Sequence, residues 1–177
     1  MAAIYLIPIV FHDNAVLDYL KIEINREIPL PVEIIRNQLD PQFAFNPSRD
    51  QYNSTLFLAK LLELAPDKGS KIVGITSLDL HIPVLTYVFG EAQLKGTAAV
   101  VSSYRLRNEL YGLPHDEKLF RRRLLTEINH ELGHTFGLIH CANQDCTLHP
   151  STYVEEIDLK TPHFCSFCKS MVQLELE

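Results

Sequence analysis

Nowhere does the chain run to eighteen consecutive apolar residues, so it offers no membrane-spanning helix, and no membrane partner is expected. Long basic tracts are missing as well. With 16 Lys and Arg against 22 Asp and Glu the net charge is −6, which denies the chain the footprint of a phosphate-backbone binder; nucleic acid is not an expected partner. The first residues, MAAIYLIPIVFHD, have no positively charged start, carry Pro8 inside the apolar run and show no small-residue cleavage site. They read as a first strand and not as a secretory signal, which makes a cytoplasmic location the expectation. Internal repeats, low-complexity tracts and linker-like stretches are also missing. One domain over residues 1–177 is therefore expected, as a monomer, with a lobe at 1–137 and a smaller cysteine-bearing lobe at 138–177. Hydrophobic residues at 46% and charged residues at 21% are ordinary globular usage, enough to build a core.

The pattern of apolar residues predicts an α/β (α+β) fold, a mixed and mostly five-stranded sheet with helices packed on it. Strands are expected at residues 3–11, 29–37, 71–76, 84–89 and 97–103. Asp13 is a candidate N-cap for a helix with Val16, Leu17, Leu20 and Ile24 on one face, and residues 51–65 predict a second helix ended by Pro66 and the turn at Asp67, Lys68 and Gly69. Between them lies a long loop, residues 39–50, of the length that invites a function. Pro114 and Asp116 open a third helix whose stripe of Leu119, Phe120, Leu124, Ile128 and Leu132 leads onward to residue 130. Arg121, Arg122 and Arg123 in its early turns read as a solvated face, with an ion-pair or substrate-carboxylate role as the sharper option. A short helix capped by Ser151 and a closing helix over 166–176 complete the reading.

The densest chemistry lies in residues 130–140, HELGHTFGLIH. On a helix, His130 and His134 project from one face and reach a single metal. Glu131 stands beside the first ligand, placed to deprotonate a water held there, and is the general-base candidate. Gly137 supplies a residue free to take positive φ, so the chain can turn back and deliver His140 from outside the helix. Three neutral imidazoles leave a fourth tetrahedral position open, the signature of a catalytic zinc. The bland alternative, an amphipathic helix with merely polar histidines, does not account for the added Gly137 and His140. His149, further on, is expected not to be a ligand.

Four cysteines follow at once. Cys141, Cys146, Cys165 and Cys168 form a C-x4-C pair and a C-x2-C pair, spacings that suit a tetrahedral tetrathiolate zinc of the closed, structural kind. Reduced buried cysteines or two disulfides are the other readings, and a reducing compartment weighs against the second. Neighbouring side chains diverge, so His140 and Cys141 can serve two metals. That predicts two zinc ions per chain.

The zinc motif running straight into this cysteine set resembles the archaemetzincins, metzincin-type zinc metallopeptidases. VLTYVFGEAQLKGTAAVVSSYRL, residues 84–106, is similar to the family's segment ahead of the catalytic helix. The resemblance implies a catalytic zinc on His130, His134 and His140, Glu131 as general base, and a structural zinc on the four cysteines. It also implies an edge strand that pairs with an extended substrate, for which residues 84–89 are the candidate, an ordinary core strand being the alternative. One position departs from the family pattern: where a methionine stands two residues after the second cysteine, this chain has Leu148, its only methionines being Met1 and Met171. Leu and Met are close in volume, so an apolar floor survives the exchange.

The expectation is thus a zinc-dependent peptidase acting on a peptide or protein substrate, with Tyr153 a conceivable second stabiliser of the oxyanion. A zinc-dependent peptide-binding module with little turnover is the alternative, and the complete Glu131 argues against it.

Overall fold

The computed structural model describes residues 2–36, 39–65 and 69–176. β1 (Ile4–Ile9) is followed by α1 (Asn14–Glu27), whose first turn is closed by the Asp13 carboxylate accepting from Val16 N at 3.0 Å, and by β2 (Val32–Ile34). Two short strands, β3 (Phe45–Asn46) and β4 (Gln51–Asn53), lead into α2 (Ser54–Leu64). β5 (Lys71–Thr76), β6 (Leu80–His81), β7 (Gly90–Ala92) and β8 (Ala98–Ser102) precede the long α3 (Glu117–Thr135). Two short helices, α4 (Val154–Leu159) and α5 (Ser166–Leu174), end the chain.

The main sheet has five strands in the order β2-β1-β5-β8-β7. The first four are parallel and β7 runs antiparallel to β8 at one edge, so the expected mixed five-stranded sheet is what forms. Alternation along the parallel strands sends Leu6, Val73, Ile75 and Val101 to one face, where α1 and α3 cover them, and Ile7, Ile9, Ile72 and Val100 to the other, where Phe57 and Leu61 of α2 lie. The core is a three-layer α/β/α arrangement. Pro8 sits inside β1 without breaking the ladder. Ile4 N and Leu6 O both bond toward the β2 side, so the missing N–H of Pro8, two residues on, also falls on that side and leaves the pairing with β5 intact.

Several sequence expectations change in detail. The second strand shrinks from 29–37 to Val32–Ile34, because Pro29 and Pro31 have no N–H to give and, among the described residues, β2 pairs with β1 alone; position 37 is outside the described residues. Helix α2 starts at Ser54, capped by Asn53, since residues 51–53 are taken by β4; its expected stop at Pro66, Asp67 and Lys68 is also outside the described residues. The long loop at 39–50 contributes to a small second sheet, β3-β4-β6. The largest correction concerns residues 84–89, which form no strand. Pro83 opens a turn, Val84 and Leu85 stand 85% and 51% exposed, and only Val88 makes a single bridge, to Leu80. The edge position falls instead to β7, immediately after.

Candidate active site

Helix α3 is built to hold its last turns still. Asp116 caps it by accepting from Leu119 N at 2.9 Å, and Phe120, Leu124, Ile128 and Leu132 are buried against the sheet. That buried stripe fixes the heading of His130 and His134. The helix stops at Thr135, and Gly137, at φ +89°, turns the chain: Gly137 N bonds to His134 O and Leu138 N to Gly133 O. A glycine takes this left-handed backbone without strain, and the turn delivers His140 back to the helix end.

The three imidazoles converge, one nitrogen from each lying within 4.8 Å of the others. Their ring centroids are 4.8, 5.3 and 5.1 Å apart. The Thr147 carbonyl takes the Nδ1 of His130 at 2.8 Å and the Leu138 carbonyl that of His134 at 2.7 Å. Both Nε2 atoms therefore carry bare lone pairs, and they face each other at 3.1 Å. Two lone pairs so close repel unless a cation lies between them, and this donor set fits a metal. Burial holds all three histidines below their ordinary pKa, with the Lys160 ammonium and the other histidines adding to it at His130, which keeps the rings neutral as ligands must be.

Glu131 is 6% exposed. Its carboxyl is pushed well above the usual range by burial first, then by the Glu127 and Glu91 carboxylates. It sits directly under β7. A Cβ added at Gly90 would lie 2.7 Å from Glu131 Cγ and 2.9 Å from Val100 O, so only a glycine leaves room for this carboxylate beneath the edge strand. Around these groups opens a cleft of about 590 Å³, floored by α3, with residues 85–92 above and residues 150–153 below. Tyr87 spans it, its hydroxyl donating to Thr152 O at 2.8 Å, and the Arg105 guanidinium lies 4.1 Å over the Tyr87 ring while gripping Asp79 with two bonds of 2.7 Å. Among the described residues β7 pairs only with β8, so its outer edge faces this cleft unpaired.

Cys141, Cys146, Cys165 and Cys168 gather beside it with their sulfurs within 4.8 Å of one another. All four are free thiols, and the 3.9 Å between Cys141 Sγ and Cys165 Sγ is far beyond a disulfide. It is close to the edge, about 3.8 Å, of a tetrahedron with 2.3 Å metal–sulfur bonds. Burial and then the neighbouring thiols of Cys165 and Cys141 push the Cys168 pKa far up. Adjacent in sequence, His140 and Cys141 do point into separate clusters.

Other expectations fare unevenly. His149 stays out of the histidine cluster, its Nδ1 bonded to Cys141 O at 3.0 Å. Tyr153 lines the cleft and is 61% exposed. Leu148 is fully buried against Gly133 of α3, an apolar floor under the histidines. Ser151 does not cap α4; Tyr153 occupies the N-cap position, with the Glu156 carboxylate accepting from its N–H. The arginine run is not a solvated face. Arg123 is 5% exposed and clamps Asp158 at 2.7 and 2.6 Å, Arg122 holds the carbonyls of Asp158 and Lys160, and Arg121 pairs with Glu117. Two buried residues went unread in the sequence, Glu127 and Lys160. On a helix as rich in polar residues as α3, Glu127 was marked only by standing one turn before Glu131; a lone lysine at 160 gave no signal.

The sequence profile of peptidase family M54 matches residues 11–174. The archaemetzincin of Methanocaldococcus jannaschii is 41% identical over 133 residues, 75% of this chain and 72% of that one; that of Thermococcus kodakarensis is 42% identical over 135 residues, 76% and 73%. The crystal structure of archaemetzincin from Methanopyrus kandleri superposes with a TM-score of 0.86 at 31% identity, covering 99% of this chain and 96% of that one. Fold and site together therefore define a zinc metallopeptidase, a hydrolase. Within that class the chain belongs to the archaemetzincins, peptidase family M54.

Proposed function

We propose that His130, His134 and His140 hold the catalytic zinc and that Glu131 is the general base of peptide-bond hydrolysis. The observation that carries this is the pair of bare Nε2 atoms facing each other beside a buried carboxylate. Zinc held there would polarise the scissile carbonyl and acidify the attacking water. Glu131 takes the proton from that water and later gives it to the leaving amine; its raised pKa suits both halves of the task. The substrate lies extended along β7, adding a strand to the free edge, which supplies backbone bonds independent of sequence. This moves the pairing strand from 84–89 to Gly90–Ala92, with residues 84–89 as the rim above it.

A second zinc on Cys141, Cys146, Cys165 and Cys168 is structural, because four thiolates close the coordination shell. It anchors the segment that begins at His140, so residues 138–177 act as a metal-stapled lobe on the sheet-bearing lobe 1–137 of one domain. Four reduced thiols fit a reducing compartment such as the cytoplasm.

The test is cleavage of a complex peptide library by zinc-loaded protein beside an identically prepared Glu131→Ala. New termini with the wild type alone are expected. No difference, with zinc confirmed in both, would point to a peptide-binding module with little turnover.

A further inference from the structure

One buried carboxylate of the cleft has no part in the chemistry assigned so far. Glu127 stands on α3 one turn before Glu131, and it lines the cleft although it is only 4% exposed. Its near partner among the described residues is Lys160, whose ammonium lies 3.3 Å from Oε1, and Oε1 makes no well-directed hydrogen bond. Lys160 directs its shorter bond elsewhere, to the His149 carbonyl at 2.8 Å, just behind the lower lip of the cleft. It is 1% exposed and does not line the cleft. The pair is layered, with the ammonium behind and the carboxylate in front. A peptide side chain entering beside the lower lip meets only the negative end.

A carboxylate accepts about four hydrogen bonds, and this one has a single, shared donor. An apolar side chain closing over it would remove its remaining water and return nothing. An ammonium or guanidinium would supply charge-assisted donors in the same place. We infer that Glu127 determines specificity, making the subsite next to the catalytic histidines select a lysine or arginine side chain of the substrate. This rests on the reading of the cleft as a peptide-binding site, but it does not depend on turnover. Glu127 touches substrate and takes no part in bond breaking. A pocket with a buried acceptor discriminates against a side chain that leaves the acceptor unpaired, here by about ten-fold or more, given that Lys160 already offsets part of the charge.

The experiment uses zinc-loaded Glu131→Gln protein, which keeps Glu127 and should bind without cleaving. Alanine-based hexapeptides, acetylated and amidated at their ends, carry lysine at each position in turn, and a matched series carries norleucine. Affinities are read by fluorescence anisotropy, with the same series measured on the Glu127→Gln, Glu131→Gln protein. One lysine position is expected to bind about ten-fold more tightly than its norleucine match, and the added Glu127→Gln to erase that difference while changing norleucine binding less than about two-fold. Lysine no better than norleucine at every position, a preference that survives Glu127→Gln, or no binding by either series would overturn the inference. So would a preference appearing only with unblocked N-termini, which would assign the carboxylate to an α-ammonium group. The comparison within the Glu131→Gln protein decides the lysine preference even if the double variant does not fold. Failure of the peptidase reading shows separately, as no cleavage of these peptides by the wild type.

Discussion

At the residue scale the site turns on Glu131 and the glycine above it. Replacing Glu131 by Gln keeps the shape and removes the proposed base, so kcat should fall by about 10²-fold or more while zinc content stays at the wild-type level, read by metal analysis beside peptide cleavage. Retained activity would remove Glu131 from the mechanism. Gly90→Ala tests the same carboxylate from the other side. Its Cβ would meet Glu131 Cγ at 2.7 Å and backbone Val100 O at 2.9 Å, and the backbone cannot yield as a side chain can. Activity should fall and Tm with it, because the added Cβ displaces the proposed base and strains the β7–β8 backbone together. Acid acts on the site in one direction. Rings whose pKa is depressed by burial stay neutral to lower pH than free histidine, but on further acidification they protonate and release metal, and the proposed base Glu131, whose pKa is raised, is lost at a higher pH than a free glutamate. Both changes lower kcat/KM as pH falls, so activity undiminished at about pH 4 would contradict the scheme. The residues His130, Glu131, His134 and His140 were legible in the sequence because helical spacing and a single glycine turn determine how they meet. Gly90 was not, since its reason is a contact across the sheet with a residue 41 positions away.

Among the elements, α3 does most of the positioning, and its ties run to the C-terminal segment. Arg123 lies almost out of solvent and makes four bonds, two to Asp158, one to Leu106 O and one to Asn108 Oδ1. Arg123→Ala leaves Asp158 and two further acceptors unpaired and should cost about 2 kcal/mol, less than a fully buried pair because the Asp158 side chain is 29% exposed. Chemical denaturation would measure it; no shift in the midpoint would mean that water replaces the arginine without loss. Three adjacent arginines look like a solvated face in sequence, and only the arrival of α4 and its Asp158 from 35 residues away makes the third an internal clamp. The 84–89 segment misleads for a related reason. VLTYVF has the apolar content of a strand, yet Val84 and Leu85 face solvent and Tyr87 crosses the cleft, so the segment is a rim anchored by Phe89, its one buried residue. β7 carries the edge role with only three residues, Gly-Glu-Ala, too few and too polar for alternation to register.

Across the whole molecule two kinds of stabilisation divide the work. The three-layer core around β1, β5 and β8 rests on apolar alternation, which is why the fold class was readable in advance; the small sheet β3-β4-β6 was not, being made of strands of two or three residues. Beyond Gly137 the described residues form two helices, of six and nine residues, and those lengths do not hold themselves together in water. Val154, Ile157, Phe164 and Val172 do join the main core, but residues 141–153 contain no helix or strand; Leu148 is buried in that core and Thr147, His149 and Thr152 are held by bonds to Thr126, His130, Lys160 and Tyr87, while the stretch from Cys141 to Cys146 is left chiefly to its cysteines. Metal binding and local folding should therefore be coupled, and coupled across both clusters, since His140 and Cys141 share a peptide bond. Cys165→Ser removes a sulfur 3.9 Å from Cys141 Sγ and touches none of the three histidines, so in the absence of coupling the histidine site would be unaffected. With coupling, the variant should hold zinc at the histidine site at least about ten-fold more weakly, because part of the binding free energy must now order residue 140. Competition with a calibrated zinc chelator reads that affinity, and protease cleavage within residues 141–153 should quicken in parallel. Unchanged histidine-site affinity, with only the cysteine-bound metal lost, would show the turn at Gly137 to be sufficient by itself to present His140.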